Sequence, residues 1–333
     1  MALTDVSGGG TGVARHVLLG PQDVLVLRAL GLGDALTAVA ALRGVRRAWP
    51  RRRLLLAGPE PVGRWFAALG VVDAVVPASG LAPLAVAGPG GHVAVDCHGR
   101  GPESHRLLAA TRPARTVAFA CTAAGHPSRP GDVAPPWRED EHEVERWCRL
   151  LRAAGGACGP EDLRLPVEPS AAEDVVLLHP GAASGSRRWP VDRWRQVARQ
   201  LVAAGLRVLV TGSAAEAPRC AAVVDGVAGT RSVAGTLGLP TLAALVAGCR
   251  LLVCGDTGVA HLATAVGAPS VLLFGPTSPA GWGPVLDVDR HVVLWHGDGS
   301  GDPHADGLDP ALAAVTVAEV VAAAGSLLAA AGA

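Results

Sequence analysis

Three short stretches of this chain place reactive side chains beside glycines. "LRALGLGDALTAVAALRGV" (27–45) brings Gly31, Gly33 and Asp34 together, and "LLHPGAASGSRRWPVDRW" (177–194) brings His179, Gly181, Ser184, Arg187 and Arg188. "LLVCGDTGVAHLATAVGAP" (251–269) brings Asp256, Thr257, Gly258 and His261. A carboxylate at the start of a helix can act as a general base. Small residues followed by arginines allow close backbone approach to a phosphate and a bidentate pairing with its oxygens. Free N–H groups at Thr257 and Gly258, at a helix start, suit a diphosphate. Each stretch alone has a plainer reading: Asp34 and Asp256 as helix N-caps, the arginines as solvated loop residues, His261 as packing. The second stretch also lacks the GxxxxGK[ST] spacing of a P-loop. Two such loops in one half of the chain favour a diphosphate-bearing ligand.

The elements that must position these residues follow from hydrophobic periodicity. Short apolar runs alternate with Ala/Leu/Arg segments of helical period, which is the pattern of α/β units around a parallel sheet. The pattern predicts strands at 23–28, 53–57, 74–76, 92–96 and 116–119, with helices at 34–48, 60–69, 102–111 and 140–154. A Pro-bracketed segment, "RLPVEPSAAED" (164–174), interrupts the rhythm, which then restarts. Strands are expected at 175–179, 207–211, 229–233, 251–254 and 270–274, and helices at 192–204, 215–224, 239–247 and 258–266. A last helix spans about 310–331. Parallel sheets bind ligands beyond the carboxyl ends of their strands, where all three reactive stretches fall.

Composition narrows the function classes. A length of 333 residues suggests about two domains, and a formal net charge of zero gives no bulk attraction to nucleic acid or anionic lipid. The seven cysteines show no CxxC or metal-ligand spacing, so reduced thiols and no metal cofactor are expected. The beginning of the chain, residues 1–22, reads as a disordered leader rather than a signal peptide, and no apolar run reaches the ~20 residues of a membrane span. A soluble, cytoplasmic protein is expected.

Taken together, the three stretches resemble the heptosyltransferases of glycosyltransferase family 9. The likeness rests on Gly33-Asp34, the loop from His179 to Pro190, the segment from Asp256 to His261, and "FGPTSPAGWGP" from Phe274 to Pro284. It extends over "VDCHGRGPESHRLLA" (95–109) and "HEVERWCRLLRAAG" (142–155). The resemblance implies a GT-B fold, two Rossmann-like domains facing a cleft: an acceptor domain at 23–168, a nucleotide-sugar domain at 169–309, and a last helix, 310–333, packing back on the first domain. It implies inverting transfer of a sugar, in this family a heptose, from an ADP-sugar to a hydroxyl of a glycan or secondary-metabolite acceptor, with no metal.

The residues carried over follow the same motifs. Asp34 matches the base, Arg187 a cation beside the leaving diphosphate, and Asp256 an acid near the sugar. Gly181, Ser184, Arg188, Gly212, Thr257, Gly258 and His261 fall on the donor side, Glu216 at a ribose-binding position and Leu237 to Leu239 at the adenine. Gly33, His98, Arg100 and Ser104 fall on the acceptor side. His98 departs from the family's usual Gln, and the Pro-rich stretch 120–140 matches no lipopolysaccharide-core acceptor site. A GT-B-like sugar-nucleotide epimerase and a non-catalytic nucleotide-sugar-binding protein are the alternatives.

Overall fold

The computed structural model describes residues 16–172 and 174–330. The first half runs β1 (Val17–Leu18), β2 (Asp23–Leu27), α1 (Leu32–Thr37), α2 (Val39–Ala48), β3 (Arg53–Gly58), α3 (Glu60–Ala68), β4 (Ala74–Pro77), β5 (Val86–Ala87), β6 (Val93–Asp96), α4 (Glu103–Ala109), β7 (Arg115–Val117) and α5 (Glu143–Ala153). The second half runs β8 (Val175–His179), α6 (Val191–Ala203), β9 (Arg207–Val210), α7 (Ala217–Val224), β10 (Thr230–Ser232), α8 (Leu239–Gly248), β11 (Leu251–Gly255), α9 (Gly258–Val266), β12 (Ser270–Leu273), α10 (Pro279–Trp282), β13 (His291–Leu294), α11 (Pro310–Ala314) and α12 (Val317–Ala330).

Each half builds one parallel sheet. The first has five strands in the order β4-β3-β2-β6-β7, and the second has six in the order β10-β9-β8-β11-β12-β13. The central strands β2, β8 and β11 are buried along their whole length, as their unbroken apolar runs require when helices cover both faces. In each sheet the strand that comes first in the chain, β2 or β8, sits in the middle, so the chain reverses direction of travel beside it. That reversal opens a crevice at the carboxyl ends of β2 and β8, and the reactive loops leave from there.

The two halves touch. Helix α1 packs on α9, and α3 on α8. Buried residues of both halves, among them Val26, Leu36, Trp147, Leu177, Leu252 and Ala260, belong to one contiguous apolar cluster. The Pro-rich connector is bound to both sides. Arg43 donates to the carbonyls of Asp162 and Arg164, while the Leu165 and Ser170 N–H groups donate to Ala265 and Ala244 carbonyls.

Several expectations need correction. Of the expected leader, residues 1–15 lie outside the described residues, but 16–22 do not fit it. Val17–Leu18 pair in parallel with Val86–Ala87, and Leu19 is buried in an apolar cluster against the outer face of the first sheet. The expected helix at 34–48 starts at Leu32 and breaks at Ala38 into α1 and α2. A sixth strand, β13, closes the second sheet where the sequence reading placed none. The terminal helix also packs elsewhere than expected. Helix α12 lies on α6 and along β11, β12 and β13, with Val320 and Ala324 buried in the second half's own apolar cluster. Its small residues mesh with the outer face of that sheet, which would otherwise be left open.

Candidate active site

A cavity of about 630 Å³ lies between the halves, lined from the first by Leu30 to Asp34 and from the second by His179, Arg187, Glu216, Asp256 to Val259 and His261. Both aspartates prove to be free of capping work. The N-cap of α1 is Gly31, and Asp34 sits in the first turn with no capping hydrogen bond to the helix. The N-cap of α9 is Thr257, again without a side-chain cap bond, and Asp256 precedes it. The plainer reading of each is therefore wrong, and both line the cavity instead.

The first wall is held by a buried cation. Arg28 follows β2 and is 1 % exposed. Its Nε donates to the Asp34 carbonyl at 2.8 Å, and one terminal nitrogen reaches Asp34 Oδ1 at 3.3 Å. The same nitrogen donates to Glu143 Oε1 at 2.8 Å and to Thr37 Oγ1 at 3.2 Å, while the other donates to the Cys97 carbonyl. Asp34 itself keeps 31 % of its side chain exposed, toward the cavity.

The second wall carries the phosphate-type groups. The Arg187 guanidinium is one-fifth exposed, its Nε donating to Ser184 Oγ at 3.2 Å and its Nη1 lying 3.8 Å from Asp256 Oδ2. The Ser184 hydroxyl donates in turn to the Pro303 carbonyl at 2.6 Å, and the Ser186 N–H to the Ala305 carbonyl at 2.9 Å. A strap formed by residues 296–309 is thereby tied over the loop, and Pro303 and His304 complete the cavity. Arg188 instead points back, its Nε donating to the Ala182 carbonyl at 2.9 Å.

Glu216 accepts from the Ser213 N–H and hydroxyl at 2.7 and 2.8 Å. Burial favours its protonated form, but those bonds, with His179 and Arg188 nearby, outweigh it and hold the carboxyl below the usual glutamate value. Gly181 is needed here, because a Cβ at that position would collide with Glu216 Oε1. A Cβ on Gly212 would meet Cys220 Sγ and the Glu216 Cβ at 2.7 and 3.2 Å in the same way. Neither glycine lines the cavity; each leaves room for Glu216. His261 is pushed down by burial despite the attraction of Asp256 and Asp34, so it is a neutral imidazole at neutral pH. Its ring meets the edge of Trp282 at 6.0 Å.

The walls meet backbone to backbone. A Cβ on Gly258 would lie 3.1 Å from the Gly33 nitrogen and 3.0 Å from Leu32 Cβ, and one on Gly33 would lie 2.8 Å from the His261 ring.

Of the residues singled out in the sequence, Gly33, Asp34, Arg187, Glu216, Asp256, Thr257, Gly258 and His261 are brought together around the cavity. Ser184 and Arg188 brace the loop. Leu237 and Leu239 lie half-buried ahead of and at the first turn of α8, outside the cavity lining. The acceptor-side residues His98, Arg100 and Ser104 are not part of the lining either. His98 Nδ1 accepts from the Ala29 N–H at 3.3 Å, Arg100 pairs with Glu139 on the surface at 2.7 Å, and Ser104 is 3 % exposed beside His105. Burial takes Ser104 out of reach of an acceptor in this conformation. Arg28, Glu143, Ser213, Trp282, Pro303 and His304 were missed. Arg28 and Glu143 stand inside the stretches that carry the resemblance, yet a strand-end arginine and a helix-start glutamate separated by more than a hundred residues give no sign that they pair. Among the described residues no group of three or more His, Cys, Asp or Glu is arranged to hold a metal ion.

Comparison with known proteins agrees with this arrangement. Residues 131–301, just over half of the chain, match the family described as glycosyltransferase family 9 (heptosyltransferase). Lipopolysaccharide heptosyltransferase 1 of Pseudomonas aeruginosa is 36 % identical over 148 residues, which cover 42 % of this chain and 41 % of that enzyme. The chain thus spans less than half the length of the curated relatives it matches. The E. coli ADP-heptose lipopolysaccharide heptosyltransferase II superposes with a TM-score of 0.74 at 18 % identity, covering 93 % of this chain and 100 % of the other. An E. coli heptosyltransferase solved with ADP gives 0.67 at 19 %, again over 93 % and 100 %. These structures share the GT-B fold with the two parallel sheets described above. A matched segment that holds Arg187, Glu216, Asp256 and His261, on a fold shared over nearly the whole chain, places this protein in glycosyltransferase family 9, the heptosyltransferase family.

Proposed function

We propose that the protein transfers a heptose from an ADP-heptose to a hydroxyl of a glycan or secondary-metabolite acceptor, inverting the anomeric centre. One observation carries the reading: an aspartate that keeps part of its carboxylate exposed on one wall of the cavity faces a second wall made of an arginine, a helix N-terminus and a glutamate. Inversion needs an attacking hydroxyl and a leaving diphosphate on opposite sides of the sugar. Asp34 takes the proton of the acceptor hydroxyl as it attacks, work worth about 10²–10⁴ in rate. The diphosphate lies against the N–H groups at the start of α9 and the Arg187 guanidinium, which stabilise the charge that develops as ADP leaves. Glu216, ionised and fixed by Ser213, accepts from the ribose hydroxyls. Asp256 holds Arg187 on one side and faces the sugar on the other. The ADP and heptose assignments come from the relatives, one of which is solved with ADP. No helix among the described residues is long and apolar enough to cross a membrane. A cytoplasmic site of action is part of the same proposal.

A thermal-shift series across ADP-, GDP-, UDP- and dTDP-sugars tests the donor, because a ligand that binds only the folded state raises its stability. The ADP-sugar is expected to give the largest shift; a UDP-sugar preference overturns the assignment. Asp34→Asn is expected to keep that shift and lose at least about a hundredfold in transfer. Conversion of the donor without any acceptor would point to an epimerase, and donor binding without turnover to a binding protein.

A further inference from the structure

Asp34 and Glu143 share one buried guanidinium, and they share it unequally. The terminal nitrogen of Arg28 that serves both lies 2.8 Å from Glu143 Oε1 and 3.3 Å from Asp34 Oδ1. Asp34 is instead located through its backbone, by the 2.8 Å bond from Arg28 Nε to its carbonyl. Glu143 is secured independently: Arg146 Nη1 donates to its Oε2 at 2.5 Å and the Trp147 indole to its Oε1 at 2.8 Å. Trp147 also lies under the guanidinium, 4.9 Å from ring centroid to Cζ. The arrangement positions a carboxylate without binding it tightly. A base clamped by a bidentate arginine fork gains stability as the anion and becomes a poorer proton acceptor.

We infer that Glu143 is a positioning residue that draws the Arg28 charge away from Asp34, so that Arg28 fixes where the base stands while leaving its carboxylate free to take a proton. The inference rests on the reading of Asp34 as the base. Burial favours protonated Glu143, but Arg28, the Trp147 N–H and Arg146 outweigh it and hold the group below the usual glutamate range, so the second anion is present at neutral pH. The other charged or titratable groups around Asp34 are few. His98 faces it from the loop after β6, held below its usual range by burial, with Asp96 behind it. His261 and Asp256 face it from α9 and the end of β11, and His142, held down by burial, stands at the start of α5. Of these only Glu143 touches Arg28 as Asp34 does. Neutralising it leaves Arg28 and Arg146 with one anion fewer, and their field falls on Asp34.

The expected signs are opposite for the two partners, which a merely structural role does not produce. Glu143→Gln should make the Asp34 carboxylate harder to protonate, and Arg28→Gln easier. The full chain, labelled with ¹³C at aspartate carboxyls and with the Asp34 signal assigned by its loss in Asp34→Asn, is titrated by NMR. In Glu143→Gln the Asp34 midpoint should fall, and in Arg28→Gln it should rise. Arg28→Lys, which keeps the charge, should return it toward wild type. The acidic limb of kcat/KM for ADP release from ADP-heptose, with heptose-free lipopolysaccharide as acceptor, should move in the same directions, with KM for the donor little changed. An Asp34 midpoint that stays put or rises in Glu143→Gln overturns the inference, and either variant decides the sign alone if the other does not fold. If wild type releases no ADP with this acceptor while the NMR midpoints move as stated, lipopolysaccharide is excluded as the acceptor and the charge relation stands.

Discussion

At the scale of single residues, the site separates groups that touch a ligand from groups that shape them. On the proposed function, Glu216 belongs to the first kind. Its Oε2 already accepts from the Ser213 N–H and hydroxyl, which fixes the direction in which the carboxylate faces. Glu216→Ala should raise the Kd for ADP about tenfold or more, the loss of a hydrogen bond to a charged acceptor, and calorimetry on the folded variant measures it. An unchanged Kd would remove Glu216 from the donor site. Of the first kind, Asp34 and Asp256 were legible in the sequence because each combines a reactive type with an adjacent glycine, and Glu216, four residues after Gly212, only through the resemblance. Those of the second kind were not. Arg28 and Glu143 meet only because β2 and the start of α5 are brought together in space, and His98, Arg100 and Ser104 looked like acceptor contacts only because their neighbourhood resembled the family's. They stand outside the cavity lining, with His98 nonetheless facing Asp34.

Elements impose the next set of constraints. The contact of α1 with α9 has no side chain between the facing backbones at Gly33 and Gly258. Gly258→Val should force the two helix starts apart, because its Cβ alone would lie 3.0 Å from Leu32 Cβ and 3.1 Å from the Gly33 nitrogen. A displacement near 1 Å between base and donor costs about 10² in rate, so kcat should fall by about that factor while the protein stays folded. Strand β13 carries a different prediction. His291 is 7 % exposed, its Nδ1 pairs with Ser270 Oγ at 2.8 Å, and burial lowers its pKa to about 4 against the pull of Asp287. The folded state resists protonation between the ordinary value near 6.5 and about 4, while the unfolded state accepts it. Stability from this group is therefore full above the ordinary histidine range and lost as pH falls through that window, by about 3 kcal/mol at most. Denaturant titrations at pH 7 and pH 4.5 should show His291→Gln losing less stability on acidification than wild type. Strand β13 was invisible beforehand because "HVVL" is short and lies between loop-like stretches, and only pairing with β12 makes it a strand.

The whole molecule is two sheets with a shared apolar interior. The α/β alternation and the restart after the Pro-rich connector were readable because buried parallel strands need continuous apolar runs, and the chain supplies them twice. The destination of α12 was not readable. Its Ala/Val surface is apolar on every side, so its pattern names no partner, and the exposed outer face of the second sheet decides the matter. Removing residues 317–333 should expose Val253, Val271 and Leu273 beneath it and destabilise the second half first. Limited proteolysis should then cut in the segment 175–310 before the first half. Equal protection of both halves would show that α12 contributes little.

The bare contact between Gly33 and Gly258 ties the history of one loop to that of the other. A side chain on Gly258 would press on Leu32 and the Gly33 nitrogen, and one on Gly33 on the His261 ring and the Gly258 Cα, so a change at either position falls on both loops. A methyl at either position requires the opposite loop to give, and with it the spacing across the cavity. The first reactive stretch and the last, more than two hundred residues apart in the chain, are in that sense a single mechanical unit.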